Sequence, residues 1–306
     1  MKKNNTNIPH RYECLTDIHR MLGLPKPMHP MISFIDNLDG QLELNKLISP
    51  HTSAFYKISY KTALQGRLRY GQHYYDFDEG GLFFVAPNQL VADDHNNGDH
   101  AGYTLLFHPD LLLTSSLSKK IKHYGFFAYT ANEALYLSAQ EKMMIFTVLD
   151  MIQKEVNSRI DDFSQDVLIS QIDLLLNYSH RFYKRQFITR KLVHNQLLQQ
   201  LEAALADYFN NEKTLIHGLP TVQYLSSQLN VSSSYLSDML RALTGQNAQQ
   251  HIHYHLIEKA KEKLSTTQLS VSEIAYYLGF EHPQSFSKLF KSKTHLTPLK
   301  FRQSFN

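Results

Sequence analysis

The segment SEIAYYLGFEHPQSFSKLF, Ser272–Phe290, has a near copy upstream in TVQYLSSQLNVSSSYLSDMLRALTG, Thr221–Gly245. The corner LNV at 229–231 matches LGF at 278–280, an offset of 49, and YLSDMLR at 235–241 matches SFSKLFK at 285–291, an offset of 50. One extra residue therefore sits in the second turn. Each copy reads as a short helix, a tight turn and a second helix, the arrangement of a helix-turn-helix unit. This predicts two such units, at 221–241 and 270–291, in an all-α C-terminal domain.

The helix ends carry their own signals. Ser270 followed by Glu273 fits a capping box, which satisfies the exposed N–H groups at a helix start. Gly279 suits the left-handed residue that ends that helix. Pro283 fits the first position of the next helix and biases His282 toward an extended N-cap. In the first copy Thr221 and Ser232 supply the caps, and Asn230 takes the glycine's place at the corner, where its short side chain tolerates positive φ.

Within the second copy Phe286, Leu289 and Phe290 share one face, leaving Gln284, Ser287, Lys288 and Lys291 on the other. The equivalent outward face of the first copy is Ser234, Ser237, Asp238 and Arg241, above Leu236, Met239 and Leu240. A helix of this diameter fits the DNA major groove, where amide and ammonium groups can bond base edges. Asp238 repels phosphate, although it can accept from a cytosine amino group.

Charge agrees in direction. Residues 181–306 carry 15 Lys+Arg against 8 Asp+Glu, a net of +7, whereas residues 1–180 carry 16 against 20, a net of −4. The basic end is the better polyanion binder, although a net charge of this size also suits a solvated surface.

The N-terminal part has a different period. MISFI, AFYKISY, GRLRY, QHYYDF, GLFFVAP and GYTLLF, between about 31 and 107, read as short strands separated by Gly and Pro-Asn signals. Repeated short strands suggest a sandwich or small barrel. From about Leu135 the spacing becomes helical: Ile145, Val148, Leu149, Ile152 and Val156 form one stripe, and Leu168, Ile172, Leu175 and Leu176 another. A third runs through Leu197, Leu198, Leu201 and Leu205. Helices of this length can pair between subunits or pack within one. RFYKRQFITRK, Arg181–Lys191, holds five positive residues and no acidic one, which suits a connector touching phosphate or a solvated helix end.

The longest apolar runs fall short of the roughly 18 residues that span a bilayer. The N-terminus runs from two lysines into asparagines, unlike a secretory signal, and the single cysteine, Cys14, excludes an internal disulfide or multi-cysteine zinc site. Both features point to a cytoplasmic protein.

SVSEIAYYLGFEHPQSFSKLFKSKTHLTPLKFR, Ser270–Arg302, resembles the DNA-binding domain of AraC/XylS-type transcriptional regulators in its Ile-Ala, Gly-Phe, Phe-Ser, Phe-Lys and Thr-Pro steps followed by an aromatic residue and Arg. SSSYLSDMLRALTGQNAQQHIHYHLIEKAKEKL resembles the family's first unit and connecting helix. His295 departs from a usual glycine, Leu240 and Arg241 replace Phe-Lys, and Asp238 occupies a position often basic. The resemblance implies two units joined by a linker helix at about 248–264, entering successive major-groove segments about 10 bp, or 34 Å, apart. Matched by position, it puts base reading on Ser234, Ser237, Asp238, Gln284, Ser287 and Lys288. Phosphate contacts are assigned to Arg241, Lys291, Lys300 and Arg302.

The implied fold is α+β: an N-terminal cupin-like β-barrel sensor at 1–135, a helical dimerisation or connector region at 136–190, and an AraC-type DNA-binding domain at 191–306. The implied function is a bacterial transcription factor bound to double-stranded promoter DNA, with RNA polymerase, a small-molecule effector and a second copy of the chain as further partners. Tyr70, Tyr74, Phe77 and Phe83 are candidates for an effector pocket, although aromatic core packing accounts for them equally.

Other chemistry is weaker. His251 and His255 of HIHYH share a helical face at i, i+4 without an evident third metal ligand, so no metal or cofactor is assigned. DDHNNGDH at 93–100 lacks the His-x-His and Glu spacing of a metal cupin and reads as a polar turn. Cys14 has no resolving partner and reads as a structural thiol. No nucleophile elbow, Walker loop or dinucleotide glycine pattern is present, so no catalytic residue is assigned. The alternative is a cupin-type small-molecule enzyme with accessory DNA binding.

Overall fold

The computed structural model describes residues 9–42, 51–62, 68–70, 73–75, 80–91, 101–130, 133–189 and 191–304. The chain divides into two compact units, Met1–Gln186 and Phe187–Asn306.

The first unit opens with β1 (His10–Tyr12), α1 (Leu15–Met21), β2 (Ile32–Asn37), β3 (His51–Ser53) and β4 (Tyr56–Lys61). It continues through β5 (Leu68–Tyr70), β6 (His73–Tyr75), β7 (Gly81–Val85) and β8 (Gly102–Phe107). Strands β2, β4, β5, β6, β7 and β8 fall on the six runs expected to be extended. The antiparallel sheet β2-β8-β4-β7 is the largest, flanked by a parallel β1–β3 pair and an antiparallel β5–β6 pair.

Among the described residues the strands do not close into the expected barrel. The outer edge of β7 is taken up by the chain itself, with Leu82 and Leu135 exchanging both backbone hydrogen bonds at 3.0 Å. Pairing there satisfies an edge that barrel closure would otherwise cover.

Alternation along β4 divides the sheet chemically. Tyr56, Ile58 and Tyr60 stand opposite Phe107, Leu105 and Tyr103 on β8, and Ile58 also faces Phe84 on β7. This apolar face packs on Phe126 and Phe127, which follow α2 (Leu117–Lys120), and on Phe146 of α3 (Ala139–Val156). The other face carries Lys57, Ser59 and Thr104, with the Ser59 and Thr104 hydroxyls 3.0 Å apart, over a small cavity of about 70 Å³ also lined by Tyr12 and Ile35.

Helix α3 starts at a capping box of Ser138 and Glu141 and buries Ile145, Val148, Leu149, Ile152 and Val156, the expected stripe. Helix α4 (Ser164–Thr189) buries Leu168, Ile172, Leu175 and Leu176. Arg185 grips the Glu141 carboxylate with two nitrogens and donates to the Tyr136 carbonyl at 2.8 Å. That arginine of the basic stretch therefore fastens α4 to the start of α3.

The second unit comprises α5 (Lys191–Asn210), α6 (Lys213–His217), α7 (Val222–Gln228), α8 (Ser233–Thr244), α9 (Ala248–Thr266), α10 (Val271–Tyr277), α11 (Pro283–Thr294) and α12 (Pro298–Gln303). Helix α8 ends at Gly245 with φ +76°, whereas α11 ends in the same left-handed conformation at His295, φ +62°. A side chain in this conformation costs roughly 1–2 kcal/mol, of which glycine's greater unfolded freedom returns about half. His295→Gly is therefore expected to stabilise the unit by about 0.5–1 kcal/mol, read as a higher unfolding temperature. An unchanged or lower temperature would show that His295 makes compensating contacts.

Candidate nucleic-acid interface

The two helical pairs α7–α8 and α10–α11 turn their corners with the same hydrogen bonds. Val231 N–H donates to the Ser226 carbonyl and Asn230 N–H to Ser227; Phe280 N–H donates to Ala275 and Gly279 N–H to Tyr276. Each corner is a Schellman motif, in which a left-handed residue lets two N–H groups reach back to otherwise unpaired carbonyls. Asn230 at φ +54° and Gly279 at φ +90° fill that position. Val231 and Phe280 then drop into the core beneath the turn.

The second helices begin as their sequences require. The Ser232 hydroxyl accepts from Tyr235 N–H at 3.1 Å, and Pro283 occupies the first turn of α11 after an extended His282. The Ser270–Glu273 capping box starts α10, and the N–H of Ser270 holds the Glu273 carboxyl below its ordinary pKa.

Packing fixes the direction of α11. Phe286 and Phe290 are fully buried, and a line of rings runs Phe280–Phe286–Phe290–Phe301 with centroids 5.5, 5.8 and 5.4 Å apart. It ties the turn, α11 and α12 together. On the outer side Gln284, Lys288 and Lys291 are exposed and Ser287 is half-buried. In α8, Leu236, Met239 and Leu240 are buried, Ser234, Ser237 and Asp238 are half-buried, and Arg241 is exposed.

The cations divide into free and engaged groups. Lys288, Lys291, Lys293 and Lys300 form no ion pair among the described residues, so their charge is available to a polyanion. Arg241 instead holds Asp238, with Nη1 3.1 Å from Oδ1, which offsets the acidic charge on that face. Arg302 is half-buried and donates through Nε to the Leu264 carbonyl at 3.2 Å and through Nη2 to Leu269 at 2.6 Å. These bonds join the end of α9 to the segment before α10 and give Arg302 a structural task beside the phosphate contact expected of it. Lys293 was missed from sequence. It follows the outward lysines of α11, and together with burial its charge lowers the pKa of His253 on α9.

The histidines of HIHYH find partners within the unit. His255 Nε2 bonds Glu202 of α5, and His251 Nδ1 lies 3.4 Å from the same carboxylate while its Nε2 bonds the Thr244 hydroxyl. These contacts brace the linker helix α9 against α5. Among the described residues no group of three His, Cys, Asp or Glu side chains could hold a metal ion. DDHNNGDH lies outside the described residues. The exposed Cys14 thiol donates to Asp17 at the start of α1.

Of the aromatic pocket candidates, Phe83 on β7 lines a cavity of about 340 Å³ in the first unit. Tyr70 and Tyr74 lie in β5 and β6, whose side chains, like the whole of Phe77, are outside the described residues.

Residues 225–304 match a family model described as a helix-turn-helix domain, and residues 44–162 match that of the AraC-like ligand binding domain. "Histidine kinase P4" of Formosa agariphila is 28% identical over 119 residues, 39% of this chain and 8% of that protein. "Msm operon regulatory protein" of Streptococcus mutans is 29% identical over 110 residues, 35% of this chain and 40% of that protein. "Uncharacterized HTH-type transcriptional regulator YfiF" of Bacillus subtilis is 22% identical over 263 residues, 83% of this chain and 79% of that protein. The chain thus spans less than half the length of the first two relatives. Among the described residues no helix is long and apolar enough to cross a membrane.

Proposed function

The chain belongs to the AraC family of transcriptional regulators, and on that premise we propose that it binds promoter DNA with α8 and α11 in successive major-groove segments. The observation that carries this reading is the repeated Schellman corner. Each corner directs a helix whose apolar side is buried and whose polar side remains open. Ser234, Ser237, Asp238, Gln284, Ser287 and Lys288 then face bases, while Lys291, Lys293 and Lys300 meet phosphates. Arg241 aligns Asp238 and lies at the edge of the same contact. Phosphate neutralisation supplies salt-dependent affinity, and base-edge contacts supply selectivity.

The first unit is the signal-sensing part in this reading. A ligand acts on DNA binding only by favouring one arrangement of the protein over another. Exposed Met143, Met144 and Met151 on α3 suit coverage by a second copy, which supports a dimer built on the helical region at 136–190. A protein working on promoter DNA with RNA polymerase operates in the bacterial cytoplasm.

Gln284→Ala and Lys288→Ala are expected to relax base choice in one half of the site, at a cost of about 1–3 kcal/mol for the preferred base. Lys291→Ala and Lys300→Ala should weaken all sequences alike and reduce the slope of log affinity against log salt by about 1. Binding-site selection followed by titration at several salt concentrations measures both effects. Unchanged base preference in both α11 variants would remove Gln284 and Lys288 from the readout.

A further inference from the structure

The short helix α6 belongs to neither helix-turn-helix pair, yet it is bonded toward both. On one side Thr214, only 2% exposed, donates its hydroxyl to the Tyr277 carbonyl at 2.7 Å. The corner bonds of α10 satisfy the carbonyls of Ile274, Ala275 and Tyr276, and the Thr214 hydroxyl reaches the next one along. A helix end leaves its last carbonyls without intrahelical donors, so Thr214 completes the end of α10. The Tyr277 hydroxyl in turn donates to Glu212, just before α6, at 3.2 Å.

On the other side α6 is fastened toward the first pair. The Tyr208 hydroxyl of α5 donates to the Gly218 carbonyl at 3.1 Å, and the Tyr208 ring meets Tyr224 of α7 edge-on at 5.1 Å. Lys213 at the start of α6 pairs with Asp207 of α5 at 2.6 Å. Gly218 turns the chain at φ +71° and ψ −153°, a region open almost only to glycine, and lies backbone to backbone against Gly279. A chain of contacts therefore runs from α7 through Tyr208 and α6 to the corner of α10 without passing through α9. The linker helix α9 packs on α8 and α10. Bodies joined along a single contact line can rock about it, and a second contact removes that freedom.

We propose that α6 is a positioning brace: Thr214 and Tyr208 hold α10–α11 at a fixed angle to α7–α8 and so set the spacing, in base pairs, that the two reader helices accept. This rests on the reading of α8 and α11 as the DNA readers, and it adds the residues that enforce their separation. One base pair more or fewer moves the second segment by about 3.4 Å and turns it by about 34–36° around the duplex axis. A rigid pair rejects that change, whereas a rocking pair tolerates it.

The test uses full-length Thr214→Val and Tyr208→Phe, each of which removes a hydroxyl and keeps the bulk of the side chain, with Thr214→Ser as the conservative return. Duplexes carry the two selected segments at the selected spacing and at one base pair more or fewer. The unmodified protein should prefer the selected spacing by at least about tenfold, and Thr214→Val and Tyr208→Phe should each cut that preference to about threefold or less. Base preference within each segment should stay unchanged, and Thr214→Ser should keep the full spacing preference. A general loss of stability would instead weaken all spacings alike. Spin labels on Gln223→Cys of α7 and Ser292→Cys of α11, both exposed, in a Cys14→Ser background report the distance between the pairs without DNA. Its distribution should be narrow in the otherwise unmodified chain and broaden with Thr214→Val or Tyr208→Phe. A spacing preference that is absent from the unmodified protein or retained by both folded variants, or a distance that does not broaden, would overturn the proposal. Broadening without duplex selection by the unmodified protein contradicts the DNA reading alone, and duplex selection without broadening contradicts the brace alone.

Discussion

Replacing Phe286 with alanine is expected to destabilise the second helical unit by about 3–5 kcal/mol and abolish high-affinity DNA binding. The ring is fully buried between Phe280 and Phe290, so truncation removes contacts along the line that joins the turn, α11 and α12. The loss combines transfer free energy with the cavity left behind, because neighbouring rings collapse only partly into it. For a unit of this size the unfolding temperature should fall by on the order of 10 °C or more. Calorimetry and DNA titration should show the two losses together. If stability fell but both halves of the DNA site stayed selected, the packing of Phe286 would not be what aims α11.

Gly279→Ala should be comparably damaging for a different reason. Gly279 sits at φ +90°, and a Cβ there would lie 2.7 Å from the carbonyl carbon of Gly218 and 3.0 Å from its oxygen. Both obstacles are backbone, so the chain itself would have to shift. Strain in that region costs about 1–3 kcal/mol and overpacking a further 1–3 kcal/mol, giving about 2–6 kcal/mol in total. Asn230→Gly offers the control, since the first corner already accommodates a side chain at φ +54°. Denaturant titration should show a large loss for Gly279→Ala and a small change for Asn230→Gly. Equal responses would refute the close-approach argument.

The second unit was legible because its determinants are local. Capping residues, left-handed corners and apolar spacing lie within a few residues of one another, and all are repeated. The Asp238–Arg241 pair was also accessible, since i, i+3 residues are neighbours on a helix. Arg302 was less so. Its carbonyl partners, Leu264 and Leu269, lie more than thirty residues away and are exposed by the ends of two helices, which no side-chain pattern records. Likewise, Glu202 could be joined to His251 and His255 only after α5 had packed on α9.

In the first unit, alternation and aromatic content found the strands that pair along the chain. They missed β1 and β3, three-residue strands whose parallel partners contribute little local periodicity. The pairing at the outer edge of β7 was equally hidden, because Leu82 pairs with Leu135, outside any strand-like run. Cavity shape depends on such long-range choices. An aromatic-rich segment therefore located Phe83, but not the convergence of Phe126, Glu133 and Tyr183.

Selection of binding sites from a randomised duplex library by the full-length protein at moderate salt tests the central claim most directly. Two conserved segments about 10 bp apart are expected, one for each reader helix, with the whole pattern repeated if two copies bind together. A library that emerges without an enriched motif, or with a single segment unaffected by changes in α11, would contradict DNA recognition by the paired helices.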